Sequence, residues 1–586
     1  MAESRLTRYT RRLRDLEREK QPWYPHYESL GEIFHTRKAD FTHVASQGEF
    51  LQGNIFDNTP QFAAQVFASV CGSMLWPDAA RTFNIVPVAA LKDTPGVEGY
   101  FRAVTAMLHA SMDRPEAGLQ LALMEHFLDQ GVFGISGVAT LEGPDADDAS
   151  LPVVYEEWDV KSMFVSENRQ GYIDTVYLKL KRTVRQVYEE YGTGRPGDRV
   201  SGKVKELYES GKLDDEVEVL KAMEPKAPIK GKRGVLAMPF STCHIDLTNR
   251  VIMRESGFEE MPVAIARIFK RAGEVQGRSP GMVALPAAIN LNNLSEAIIV
   301  ATEKNLDPPL GMLDDGRLGG AIVDTSAGAL SVINSSGRMA GEKPIFPLFT
   351  VGEMQSSKDL KEQLIQEVMQ AFFLDRLLDL NNKTMMTAYE TSIRNRLRGE
   401  ATGSLFARQI AEVLVPTIRR TYNIHYRRGY LGDFPGVQGA GVRQRALWRE
   451  ITGKAEMTVP PIIVKAIEAG LDVYDIEFIS PAQRFMQAEK LQGIMTTMDL
   501  ALAVAAMRPD ILDNYDFDDM AGAAAKYSGM PRTLVRTADD LKKMRAEVAE
   551  RQNAAAALEA GQAMSEIQLK SAQARSAMGT TGAPSK

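Results

Sequence analysis

Apolar and polar positions alternate with a helical period at the start of the chain. Leu6, Leu13 and Leu16 recur along residues 1–20 amid seven basic and four acidic side chains. The spacing predicts an amphipathic, mildly basic helix that either lies on the protein body with its charges solvated or meets a polyanion. Residues 57–77 predict an apolar helix that starts at Asp57-Asn58-Thr59-Pro60, with Thr59 as N-cap and Pro60 at the first helical position, and ends near Trp76-Pro77. A long helical stretch follows over 95–130, through GYFRAVTAMLHASM and LQLALMEHFLDQ. The period then changes. The runs GVFGISGVATLEG, VVYEEWD, MFVSENRQGYIDTVYLKLKRT, VLAMPFSTCHIDL and IMRESGFEEMPVAIARIFKR are short and β-branched with Gly/Asn turns, so they read as antiparallel strands. The fold class expected is α+β.

The middle of the chain is the most informative. Ser279-Pro280 places a capping serine and an N1 proline at the head of a helix running to about Leu306, with Leu291, Leu294, Ile298 and Ala301 on one stripe. Asp307-Pro308-Pro309 stops it, because a residue before proline is pushed out of the α region. Residues 310–352 are Gly-rich with the short strands GAIVD and LSVIN. A second helix is expected from Ser356, with Asp359 completing a capping-box pattern and Leu360, Leu364, Val368 and Phe372 on its stripe. At 1.5 Å per residue each helix would reach roughly 35 Å, carrying the β insertion like a foot on two legs. Polar residues 381–402 interrupt the second helix, and a further helix is expected over 403–430. Between 394 and 428, eight Arg face two Glu, which suits either a solvated helix face or a polyanion contact. Residues 535–578 predict one long helix, with a disordered GTTGAPSK tail.

Composition narrows the function. The 586 residues suffice for about four domain-sized units. With 44% hydrophobic and 25% charged residues the chain reads as an ordinary globular protein, not a disordered or collagen-like one. A net charge of -7 and a pI near 5.8 exclude a generally basic nucleic-acid binder, so any DNA contact must come from local basic surface or from an enclosing shape. The two cysteines, Cys71 and Cys243, form no C-x-x-C pair and leave no thiolate zinc site. The charged N-terminus predicts no signal peptide. The longest uncharged stretch, 279–295, is broken by two prolines and three asparagines and predicts no membrane span, so a soluble, intracellular protein is expected.

No Walker A, H-E-x-x-H or G-x-S-x-G pattern occurs, and the seven histidines stand singly. Gly192-Thr193-Gly194-Arg195-Pro196-Gly197 matches G-x-G-x-x-G, but it follows a helical segment and holds a proline, so it reads as a helix stop rather than a dinucleotide loop. Asp518-Asp519 reads as surface. No catalytic residue, cofactor or metal is expected.

Order and spacing of several segments carry a resemblance. Ser256-Gly257-Phe258-Glu259-Glu260-Met261-Pro262, then Arg267, Gly277-Arg278-Ser279-Pro280 and Leu285-Pro286, resemble the stretch before a stem helix in the head-to-tail connector (portal) proteins of short-tailed bacteriophages. Met386 to Glu390 and Phe478 to Arg484 are similar to later segments of that family, and Pro25 to Phe34 with Trp76-Pro77 fit its N-terminal region more loosely. An aromatic that many members carry before Gly277 is absent here.

The resemblance implies a portal-type fold, arranged as follows: an N-terminal α+β wing over 1–278, a first stem helix over 279–307 and a β clip over 308–352. A second stem helix would span 353–380, a tunnel loop 381–402, the rest of the wing 403–534, and a helical crown or barrel with its tail 535–586. It implies a dodecameric ring at one capsid vertex, a channel for double-stranded DNA in packaging and ejection, and docking of terminase, tail adaptor or head-completion, major capsid and scaffolding proteins. The implied location is the virion, with assembly in the host cytoplasm. Lys383, Arg394, Arg396 and Arg398 become candidate DNA-facing residues of the tunnel loop. Asp314, Asp315, Arg317, Arg338 and Lys343 become candidate docking residues of the clip. A channel needs a closed ring and a wall that does not grip the polyanion, which an acidic chain suits. The competing readings are an oligomeric scaffold or adaptor without a DNA channel, and a metal-free enzyme of unrecognised type.

Overall fold

The structure is a computed structural model that describes residues 5–578, apart from 44–45, 47, 50, 78–80, 93, 144–150, 193, 195–196, 227–237, 315–323, 335–344, 349–354, 378–402, 404, 436, 438–441, 454–456, 506–507, 509–512, 529, 531–535 and 537. The chain divides into two compact units. One comprises Met1–Thr82, Ala106–Glu456 and Ser480–Met486, and the other Phe83–Thr105, Met457–Ile479 and Gln487–Lys586.

The first unit is built on two antiparallel sheets. Five strands form a meander in the order Met163–Glu167, Ile173–Thr183, Glu216–Pro225, Phe240–Asp246, Val251–Phe258. Three more pair as Val153–Trp158, Ile135–Glu142, Val263–Arg267. The central strand, Glu216–Pro225, is one that the sequence pattern did not single out. Its alternation is nonetheless strict: Val217 and Val219 pack with Val184, Val187, Tyr191, Val204 and Met253. Leu220 and Ala222 face the opposite side, where they meet Tyr9, Leu13 and Leu16. Those three residues belong to the N-terminal helix Arg5–Lys20, which therefore lies on the sheet with its other charges outward and only Lys20 buried. Burying each such side chain is worth roughly 1.5–3 kcal/mol. Arg5 pairs with Glu255 at 3.0 Å, and Arg8 with Glu224.

Several expected boundaries shift for identifiable reasons. The apolar helix is Thr59–Leu75, and its N-cap is Asn58 rather than Thr59. Asp57 supplies the acceptor instead, taking the Thr59 N–H at 2.9 Å. The 95–130 stretch is two helices, Val97–Met112 and Leu119–Phe133, separated by a 3-10 turn at Pro115–Ala117 and by Gly118 at φ 74. Residues 131–133, expected in a strand, finish the second of these helices. The G-x-G-x-x-G segment follows helix Val184–Tyr191, with Gly194 and Gly197 at positive φ, and leads to helix Gly202–Glu209 capped by Ser201. The helix expected over 403–430 is helical from 405, widens into a π turn at Ile410–Leu414 and continues as Val415–Arg427. Pro416 has no N–H to donate into the preceding turn, which accounts for the extra residue.

In the second unit Phe83–Pro87 pairs antiparallel with Tyr474–Phe478. Helices Pro461–Glu468 and Phe517–Ser528 precede Ala538–Met578, whose 41 residues make a rod of about 60 Å. Lys526 pairs with Glu477 at 2.6 Å and Arg545 with Asp518 at 2.7 Å, so Asp518 serves a helix contact. The GTTGAPSK tail lies outside the described residues.

Candidate functional site

The two-legged insertion of the first unit is the candidate site. The first leg is Pro280–Leu306. Ser279 caps it as the sequence predicts: its Oγ accepts the Met282 N–H at 2.9 Å and donates to the Val132 carbonyl at 2.6 Å, with the residue fully buried. Asp307 ends it. At 27 residues it is about 40 Å long. Among the described residues it is the one helix long and apolar enough to cross a bilayer by length and composition, at mean hydropathy 1.3. Two of its polar side chains, however, have partners elsewhere in the protein. Asn292 accepts from Phe56 N at 2.8 Å and donates to Asn54 O at 2.9 Å, and Ser295 donates to Asp57 at 3.0 Å.

The second leg begins at Gln355, one residue before the expected Ser356. No capping box forms; Gln355 donates instead to Asp359 at 2.9 Å. Seventeen residues give about 25 Å, shorter than expected, because the helix stops at Ala371. Phe373 takes a left-handed φ of 59 there, and a short turn, Leu374–Leu377, follows. Phe372 is fully buried between Phe34 and Phe67, its ring 5.5 and 5.9 Å from theirs. That anchor fixes the root of the leg.

Between the legs lie three short strands. Leu310–Asp314 is central, parallel to Leu330–Asn334 and antiparallel to Ile345–Pro347. Leu330 and Ile345, on the two outer strands, are exposed. Asp314 is the last residue of the central strand, opposite Asn334. Asp315, Arg317, Arg338 and Lys343 lie outside the described residues, as do Lys383, Arg394, Arg396 and Arg398 and the 386–390 segment.

Two of the resemblance-bearing stretches, Arg267 and residues 277–279, meet at the joint that roots the first leg, whereas Glu259 and Glu260 lie toward the other end of the strand pairing, near Thr140. Gly134 ends helix Leu119–Phe133 at φ 85, and its carbonyl accepts from Ile268 N at 3.2 Å. Gly277 comes so close that neither glycine has room for a Cβ. Arg267, almost fully buried, donates to Glu167 at 2.9 Å, Gly171 O at 2.8 Å and Val275 O at 3.2 Å. Arg278 forks onto Glu274 at 2.6 and 2.9 Å and lies over the Trp23 ring at 5.0 Å. Glu260 takes Arg420 at 3.3 Å and Arg427 at 3.0 Å, while Glu259 takes Arg427 at 3.1 Å. Arg420 also donates to Thr140 O at 2.7 Å, and burial lowers its pKa to about 10 despite Glu260. Arg428 pairs with Glu142 and Arg408 with Glu412. Much of the basic run is therefore spent on internal ion pairs. Of its five described arginines, four make these pairs and Arg419 alone is exposed, while Arg394, Arg396 and Arg398 lie outside the described residues.

The sequence reading missed a buried charge cluster. Lys38 reaches Asp129 at 2.7 Å, Glu157 at 3.4 Å and Asp159 at 3.8 Å, with His35 Nε2 3.6 Å from Asp129. Burial raises the pKa of Asp129 well above the carboxylate range even beside Lys38. Lys20, fully buried, donates to the carbonyls of Val160 and Met163, and burial lowers its pKa to about 7. Nothing local in the sequence marks either. A cavity of about 400 Å³ between the two sheets is lined by Lys38, Glu157, Trp158, Arg182, Lys221 and His244 among others, charges of both signs without a convergent catalytic set. No group of three metal-ligating side chains occurs among the described residues.

Fold and joint together define an architectural protein: a body that anchors two helices carrying a small β insertion. Residues 6–535 match the family described as bacteriophage head to tail connecting protein, and the chain belongs to that family. It is similar to a probable portal protein of Bordetella phage BPP-1, 23% identical over 92% of this chain and 90% of that one. It is also similar to the portal protein of Salmonella phage epsilon15, 24% identical over 96% and 94%. Among solved structures, a chain of a native gene transfer agent virion matches with 10% identity over 67% of this chain and 89% of its own, at TM-score 0.29. A chain from the neck of an empty gene transfer agent particle matches with 12% identity over 71% and 91%, also at 0.29. The fold class is α+β and the family's role is structural, not enzymatic.

Proposed function

We propose that the chain is a portal subunit: twelve copies form a ring at one capsid vertex, through which double-stranded DNA is packaged and ejected without sequence readout. The observation that carries this is the end-to-end match to portal proteins of two phages, spanning at least 92% of this chain. In this reading the two-sheet body is the wing, the legs are the stem, and the three-stranded insertion is the clip that meets terminase and tail adaptor proteins. The segment 381–402 is the tunnel loop and the 41-residue helix belongs to the crown. Major capsid and scaffolding proteins surround the ring, in the host cytoplasm during assembly and in the virion afterwards. A heterologous head-to-tail interface that closes by rotation suits a ring without free edges. Negative-stain imaging of the purified protein tests this. Rings with an open centre are expected; compact monomers, or closed discs with no channel, would overturn it.

A further inference from the structure

The segment 54–59 lies across both legs and is tied to each by side chains. On the first leg, Asn292 Oδ1 accepts from the N–H groups of Phe56 (2.8 Å) and Asp57 (3.3 Å), its amide donates to Asn54 O (2.9 Å), and Ser295 donates to Asp57 (3.0 Å). On the second leg, Lys361 reaches the same Asp57 carboxylate at 2.9 Å. Asp57 also takes the Thr59 N–H, so one carboxylate joins the strap, both legs and the start of helix Thr59–Leu75. Burial alone would raise its pKa; the hydrogen bonds from Lys361, Thr59 and Ser295 outweigh that and lower it.

The placement gives the contact its meaning. Ser295 is the last buried residue of the first leg, and Leu364 is the first of the second, one turn from Lys361. Beyond the strap the legs touch the body with no buried residue, and Ile299, Val300 and Leu306 are exposed. Behind it lie the two roots, Ser279 with Gly281 on one leg and Phe372–Phe373 on the other. We propose that the strap is a latch: the Asp57–Lys361 pair fixes where the second leg leaves the body, and opening it frees that leg to pivot at Phe373 while the first leg stays capped at Ser279. The inference does not depend on the ring, since one chain contains every part.

Hydrogen–deuterium exchange on the purified full-length protein tests it with Lys361→Met, Lys361→Arg and Asp57→Asn. Lys361 is partly exposed, so Met is tolerated without a packing penalty. Lys361→Met and Asp57→Asn should each speed exchange of the 355–371 amides about tenfold and leave the five-stranded sheet unchanged. Lys361→Arg should behave as wild type. Unaltered exchange in the second leg would overturn the latch. Equal acceleration in leg and sheet would also overturn it, because the pair would then contribute only to global stability.

Discussion

A Cβ built on Gly134 would stand 2.6 Å from the carbonyl oxygen of Gly277. Gly134 also holds φ 85, which a side chain adopts only under strain. Gly134→Ala should therefore lower stability by about 3 kcal/mol, combining left-handed strain with overpacking. Gly202→Ala, where no atom lies within 4 Å, should stay within about 0.5 kcal/mol. Urea unfolding of both variants measures the difference, and equal midpoints would remove the joint from the account of the first leg.

Arg420 is the next test. It joins Thr140 O, Glu260 O and the Glu260 carboxylate in a buried place. Arg420→Ala leaves those acceptors unpaired and should cost about 3–5 kcal/mol. Arg420→Lys should recover part of that, since an ammonium lacks the planar fork. A loss under about 1 kcal/mol in Arg420→Ala, the range of exposed pairs, would mean the residue is solvated.

Acid should weaken the protein through its buried histidines. Burial lowers the pKa of His35, His126 and His244 to about 3 and of His425 to about 4. The unfolded chain takes up these protons first as pH falls through about 6.5, so the stability is fully present above that pH and lost below it. Each histidine then costs about 1.4 kcal/mol per pH unit. Asp129 and Glu157, raised by burial, contribute the opposite slope, so the informative comparison is with His126→Leu. That variant should show a shallower fall in melting temperature between pH 6.5 and 4.5; an identical fall would mean His126 titrates normally.

The insertion should carry the docking of other virion components. Replacing 312–350 by a short linker should leave the two-sheet body folded, by circular dichroism and melting temperature, yet abolish attachment of tail or packaging proteins. Attachment that survives the deletion refutes the assignment.

Lys383, repeated around a closed ring, would present a circle of positive charge to the phosphate backbone without reading bases. Lys383→Ala should leave assembly intact and stability within about 0.5 kcal/mol, while changing DNA packaging or retention. Particles that hold a normal length of DNA and eject it normally would exclude this residue from the constriction.

Local signals in the sequence located the first leg well. Ser279, Pro280 and Asp307 act within one turn of themselves, so cap chemistry alone placed the first leg, and Gly192 marked its helix end in the same way. What escaped depended on distant partners. The central strand Glu216–Pro225 alternates charges with valines, a pattern made intelligible only by the helices covering one side. Arg420 and Arg427 read as a loose basic run because Glu259 and Glu260 lie some 160 residues earlier. The second leg broke at Phe373 because Phe372 is held by Phe34 and Phe67, rings far away in sequence. Phe83 and Phe478 likewise become neighbours only in the folded chain. For the candidate site, the sequence supplied the architecture but not the strap, since Asp57, Asn292 and Lys361 carry no shared local pattern.

Leu310 stands opposite Pro347, and Leu348 N donates to Pro309 O at 2.9 Å, so the β insertion starts and finishes at one point between the legs. A segment whose two ends already touch is a cassette. Its intervening length can grow or shrink at an entropic cost that rises only with the logarithm of loop length, and neither leg need move. A longer or shorter stretch can therefore be accommodated at that point while both legs and the body they leave keep their places.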